Sequence, residues 1–262
     1  MLDYVKKSYE LLYANKSMQT FKLVIAYDGT SFHGWQDQPG LLTIEGLFKT
    51  RLRQIFKKNI QFIGASRTDT GVHALGQVAR IRTDLPINAT QLQQILNRSL
   101  PTTIQVCSID LVSDSFHPRI NVLEKIYEYH FFTKQPSPFV SRFGAYIKNI
   151  DLKLLEQALI LFKGTHDFRS FCTNEPGRNT IRTIHTIELM PPDQDGVYRI
   201  RIIGPSFLRH MIRRIIGGCL DVALKKSSIE VLRKALERKH PEQTFFVAPP
   251  EGLRLHSIVY KE

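Results

Sequence analysis

The chain has 262 residues, with 36 Lys and Arg against 24 Asp and Glu, giving a formal net charge of +12. Hydrophobic residues make up 42%, enough for a packed core, and the composition excludes a disordered chain, a collagen-like repeat and a disulfide scaffold. The positive excess points to a polyanionic partner, with nucleic acid ahead of a membrane surface. In chain order, residues 1–18 form a separate N-terminal stretch with no apolar signal core. Leu2, Val5, Tyr9 and Leu12 have helical spacing there, so it reads either as a short helix or as a stretch ahead of a start at Met18. Residues 21–27 read as a strand, and the Gly-rich loop DGTSFHGWQDQPG follows it. Residues 43–58 read as a helix capped by Thr43, with Ile44, Leu47, Phe48, Ile55 and Phe56 on one stripe and Lys49, Arg51, Arg53, Lys57 and Lys58 outside it. Strands are expected at 60–64, 77–82 and 104–112, with a short helix near 90–98.

The second half repeats that order. A strand at 125–132 precedes a helix at 152–163 capped by Asp151. Strands at 182–190 and 197–203 flank PPDQDG, where Asp195-Gly196 signals a hairpin turn. Helices at 207–224 and 228–239 and a last strand at 253–260 complete the chain. Each half reads roughly β-α-β-β-α-β, the ferredoxin-like order, which places the protein in the α+β class. The boundary falls near 113–124, dividing an N-terminal lobe, 19–115, from a C-terminal lobe, 116–262.

Several segments carry candidate chemistry. Asp69 and Arg67 lie in the loop ASRTDTGVHA, directly after a strand. Asp-Thr-Gly suits an Asx-turn on its own, and a carboxylate there also suits a nucleophile, a general base or a metal ligand. The tripeptide is shared with aspartic proteases, but an adjacent cation keeps an aspartate ionised, which does not suit a shared-proton dyad. On the helix starting at Phe207, Arg209, His210, Arg213 and Arg214 fall on one half and the apolar residues on the other. That basic half is either a solvated face or a phosphate-binding one, and the +12 charge favours the second. In Lys125-Ile-Tyr-Glu-Tyr129, strand alternation puts Tyr127 and Tyr129 on one sheet face. Spacing leaves open whether they are core or a base-stacking platform.

Other searches are negative. There is no G-x-G-x-x-G, P-loop, H-E-x-x-H or nucleophile elbow, and the histidines and cysteines show no metal-ligand spacing. Cys107, Cys172 and Cys219 lie far apart, which suits buried thiols in a reducing cytoplasm. No apolar run approaches the ~20 residues of a membrane span.

Taken together, AYDGTSFHGWQ, SRTDTGVHALGQV, FHPR with KIYEY, GTHDFRSF, FLRHMIRRIIGG and APPEGLRL resemble the tRNA pseudouridine synthase A family. The resemblance runs from about Phe21 to Tyr260. It implies two ferredoxin-like or RRM-like lobes whose antiparallel sheets join across a central catalytic cleft. It implies an isomerase that converts uridine to pseudouridine in the tRNA anticodon stem-loop, at positions 38 to 40, without cofactor or metal. It also implies a homodimer with one tRNA contacting both subunits. By the same resemblance Asp69 is the catalytic aspartate. Arg67 contacts the RNA or helps turn the target base out, Tyr127 packs on that base, Arg213 pairs with Asp69, and Leu255 lines the apolar wall. Arg209, His210 and Arg214 are left for the RNA backbone. The family usually has Gly where this chain has Ser66 and Ala where it has Thr70. These departures motivate an alternative, a catalytically impaired tRNA-binding paralogue.

Overall fold

The computed structural model describes residues 18–57, 60–173, 175–238 and 245–261. The N-terminal helical spacing at Leu2–Leu12 lies outside them, as does Lys58.

Strand β1, Gln19–Tyr27, alternates buried and less buried positions, so Phe21, Leu23, Ile25 and Tyr27 enter the core. Helix α1, Ile44–Phe56, starts where expected because the Thr43 side chain accepts from Gly46 N at 3.2 Å. It ends at Lys57, whose left-handed backbone (φ 53°) stops the helix. Its buried stripe is Ile44, Phe48 and Leu52. Strands β2, Gln61–Gly64, and β3, His73–Thr83, follow. Helix α2, Ala89–Ser99, begins in a capping box between Asn88 and Gln91. Strand β4, Ile104–Val112, has the expected bounds.

In the second half, β5 is Val122–Phe132 and β6 is the short Ala145–Tyr146, which was not foreseen. Helix α3, Leu152–Ile160, is capped by Asp151, whose carboxylate accepts from Lys153 N and Leu154 N. The strand expected at 182–190 divides in two. Ile181–Ile184 (β8) pairs with the unforeseen Gly164–Asp167 (β7) in a separate two-stranded sheet, while Thr186–Met190 (β9) stays in the main one. Gly196, at φ 74°, turns the hairpin from β9 into β10, Val197–Gly204. Helices α4, Met211–Ala223, and α5, Ile229–Arg238, lead to β11, Leu253–Tyr260.

Nine strands form one mixed sheet in the order β4-β1-β3-β11-β5-β10-β9, with β2 beside β3 and β6 beside β5. The N-terminal half supplies β4, β1, β3 and β2. The C-terminal half supplies the rest, and its last strand, β11, enters the middle. There β11 pairs parallel to β3 at His73 and Ala74 and antiparallel to β5 along most of its length. A single buried cluster runs through both halves, from Phe21 and Trp35 to Leu253 and Leu255. The β3–β11 seam brings the end of the SRTDTG loop alongside Tyr127.

Candidate active site

The SRTDTG loop joins β2 to β3 and is fixed from several sides. The fully buried Gln77 holds the backbone of Ser66 in both directions, accepting from Ser66 N at 3.2 Å and donating to Ser66 O at 2.8 Å. The Tyr27 hydroxyl meets Thr68 Oγ1 at 2.8 Å, and Trp35 N donates to Thr68 O at 3.0 Å. The DGTSFHGWQ loop packs directly on this backbone. Gly34, at φ 82°, leaves only 2.6 Å between a Cβ position and Thr68 O, so no larger side chain fits there. The two Gly-containing motifs are therefore the two halves of one tight loop pair.

The loop presents Asp69 to a cleft of about 740 Å³. Arg213, on the first turn of α4, donates from Nη1 to Asp69 Oδ2 at 3.2 Å. The same guanidinium donates from Nε to Ala248 O at 2.7 Å, which fixes its plane. His210 Nε2 lies 3.6 Å from Asp69 Oδ1, and its Nδ1 meets Thr173 Oγ1 at 2.7 Å. Burial lowers the pKa of His210, with Asp69 acting against that shift. Tyr127 lines the same cleft, buried and edge-on to Phe207 at 5.4 Å. Its burial pushes the phenol up to about 12, so the ring stays neutral at physiological pH. Arg67 and Arg209 are exposed cleft-lining residues, and Arg119, Arg178 and Arg182 add further positive charge to the lining.

Three expected site residues are placed differently. Arg214 does not face phosphate: it is buried, and its Nη1 donates to Phe245 O at 2.7 Å. The helical wheel assumes one packed side, but α4 is buried nearly all round. Gly217 approaches Phe246 O so closely that a Cβ would sit 2.1 Å from it. The helix also starts at Met211 rather than Phe207, since His210 adopts a left-handed backbone at φ 61°. His210 is thereby turned to Asp69, not to an outer basic face. Leu255 is fully buried, opposite Tyr127 on one side and Ala74 on the other. Leu253, two residues earlier and beyond the β3 pairing, lines the cleft instead.

Lys125 was not singled out from the sequence. It lies two residues before Tyr127 and on the same strand face, and strand alternation alone was enough to flag it. Its Nζ donates to Ser66 Oγ at 2.7 Å and to Ala65 O at 3.2 Å. Ser66 thus joins the SRTDTG loop to β5 through Lys125, at a position where a glycine would leave no side chain. Thr70 is exposed.

A carboxylate held by an arginine beside a buried tyrosine, under a rim of cationic side chains, forms a candidate active site suited to a polyanionic substrate. The tRNA pseudouridine synthase family model matches residues 23–119 and 158–261, and the chain belongs to that family. It is 38% identical to tRNA pseudouridine synthase A of Thermodesulfovibrio yellowstonii, over 93% of this chain and 100% of that one. It is 37% identical to the tRNA pseudouridine synthase A of Phytoplasma mali, over 92% of this chain and 98% of that one. Among solved structures, the archaeal box H/ACA sRNP Nop10–Cbf5 complex aligns over 76% of this chain and 44% of that one. At 11% identity and a TM-score of 0.32 it is too distant to inform the site.

Proposed function

We propose that the chain isomerises uridine to pseudouridine in the anticodon stem-loop of tRNA, at positions 38 to 40. The observation that carries this reading is the Asp69–Arg213 pair in the cleft beside Tyr127, in a chain of this family. The reaction breaks the N1–C1′ glycosidic bond, turns the uracil and joins C5 to C1′. Every atom of the nucleotide is kept except for an exchanged proton, so the chemistry requires no cofactor and no metal. Asp69 acts as the nucleophile. Arg213 holds its carboxylate aimed while the base displaces water from the cleft.

The target base sits in a stem and is flipped out at a cost of a few kcal/mol. Stacking on Tyr127 returns ~1–3 kcal/mol of that. Arg67, exposed at the cleft, contacts the RNA as the base turns out. Arg209 meets backbone phosphate, and Leu253 supplies the apolar wall assigned above to Leu255. We read the two halves as ferredoxin-like or RRM-like lobes meeting at the β3–β11 seam, with the lobes dividing at 115/116. The working form is a cytoplasmic homodimer with one tRNA contacting both subunits. Among the described residues no helix is long and apolar enough to cross a membrane. The impaired-paralogue alternative gains no support from Ser66 or Thr70, since neither displaces Asp69 from Arg213. The test is tritium release from tRNA labelled at uracil C5. Wild-type protein releases it and Asp69→Ala does not, and turnover by Asp69→Ala refutes the nucleophile assignment.

A further inference from the structure

Lys125 is a mostly buried cation that lines the same cleft as Asp69. It has three N–H donors. Two of them meet neutral acceptors, Ser66 Oγ and Ala65 O. Among the described residues no carboxylate pairs with it, and the charged group that acts on it most is Arg119, which repels it. The cleft's own carboxylates are engaged elsewhere. Asp69 is held by Arg213 and His210, and Glu175 is paired with Arg178. An ammonium removed from water without a counter-charge is costly, and the protein keeps it where substrate enters. The missing negative charge is supplied by the ligand.

Two ligand groups could supply it, a phosphate or the base. The exposed arginines, Arg67 and Arg209, suit phosphate. Lys125 instead sits beside Tyr127, on the strand face read above as the platform for the flipped base. Resting on that reading, we propose that Lys125 is a further catalytic residue, whose ammonium binds the uracil ring and stabilises the negative charge the ring gains during the reaction. When C1′–N1 breaks, its electron pair passes to N1 and spreads onto the ring carbonyl oxygens. C1′ is taken by an Asp69 oxygen, or Asp69 takes the C2′ proton and returns it when C1′ bonds C5. After the base turns, a ring electron pair forms C5–C1′, Asp69 is released, C5 loses its proton and N1 gains one. If Asp69 adds to C6 instead, the charge falls on the C4 carbonyl oxygen, one of the two that carry it in the first route. Lys125 stays protonated throughout and serves each route.

Burial and Arg119 lower the Lys125 ammonium to about 8, so its proton is lost in a measurable range. The charged group acting on it is Arg119, while Asp69 lines the same cleft and the Tyr127 phenol lies two residues along its strand. The experiment measures single-turnover pseudouridine formation and tRNA affinity from pH 6 to 10 for wild type, Lys125→Met, Lys125→Arg and Asp69→Ala, with melting temperatures. We expect a wild-type rate that falls with one ionisation at alkaline pH. Lys125→Arg extends the plateau upward, and Lys125→Met cuts the rate by about 30-fold or more with affinity within about 3-fold. A Lys125→Met rate close to wild type overturns the inference alone. A loss carried by affinity assigns Lys125 to phosphate and overturns it, as does an alkaline limb that Lys125→Arg leaves in place. A wild-type rate flat to pH 10 overturns it without any variant. Turnover by Asp69→Ala overturns the site reading, and this inference with it.

Discussion

Replacing Arg213 should damage turnover far more than binding. Its guanidinium makes two contacts of different kinds, Nη1 to Asp69 Oδ2 at 3.2 Å and Nε to Ala248 O at 2.7 Å. Both members of the ion pair are largely shielded, with side-chain exposures of 11% for Arg213 and 23% for Asp69. A hydrogen bond to a charged group in such a setting contributes about 1.5–3 kcal/mol. At 1.36 kcal/mol per decade, that corresponds to a kcat loss of roughly 10- to 150-fold for Arg213→Ala. Lys at 213 keeps the charge but not the fork, so it cannot serve Ala248 O and Asp69 together in one plane, and its loss is intermediate. The assay is C5-tritium release under saturating and limiting tRNA, which separates kcat from KM. A rise in KM at unchanged kcat would place Arg213 on the RNA rather than on the carboxylate and refute the reasoning.

Arg209 and Arg214, both expected on the basic half of the helix, should behave oppositely. Neutralising exposed Arg209 lowers the slope of log affinity against log salt by about one unit, while Arg214→Met leaves that slope unchanged. Arg214→Met instead strands Phe245 O and costs about 1–3 kcal/mol in stability, read by denaturant unfolding. Gly217→Ala should destabilise by a similar ~1–3 kcal/mol through overpacking, because its Cβ would stand 2.1 Å from Phe246 O. A melting temperature equal to wild type would show that the 245–248 segment is not held against α4. Glu128 should dominate part of the acid limb of stability. Its hydrogen bond with His130 holds it down to about 2, with Arg201 assisting. A folded pKa below the unfolded value of about 4.5 means stability that is fully present above pH 4.5 and lost as the pH falls towards 2. Glu128→Gln should flatten the melting-temperature profile in that window, and an unchanged profile would exclude the linkage.

The elements readable in the sequence are those whose pattern is local. Thr43 and Asp151 mark helix starts by their own hydrogen bonds, and β4 alternates buried and exposed residues over 104–107 before its register against β1 shifts. What escaped depends on distant chain. The start of β3 at His73 belongs by pattern to the SRTDTGVHA loop, and becomes strand because β11, some 180 residues later, pairs beside it. The division of 181–190 depends on β7, four residues of no distinctive pattern. The site follows the same logic. Asp69, Arg67, Tyr127 and Arg213 are recoverable because motifs name them, but spacing could not decide which arginine of α4 meets the carboxylate. That choice is made by the left-handed turn at His210 and the closure of residues 245–248 over Gly217. Together these send Arg213 towards Asp69 and Arg214 inward. The +12 charge is therefore not one surface. Arg209 faces solvent, Arg213 is committed to a carboxylate, Arg214 to a backbone carbonyl, and Lys125 has no carboxylate partner among the described residues.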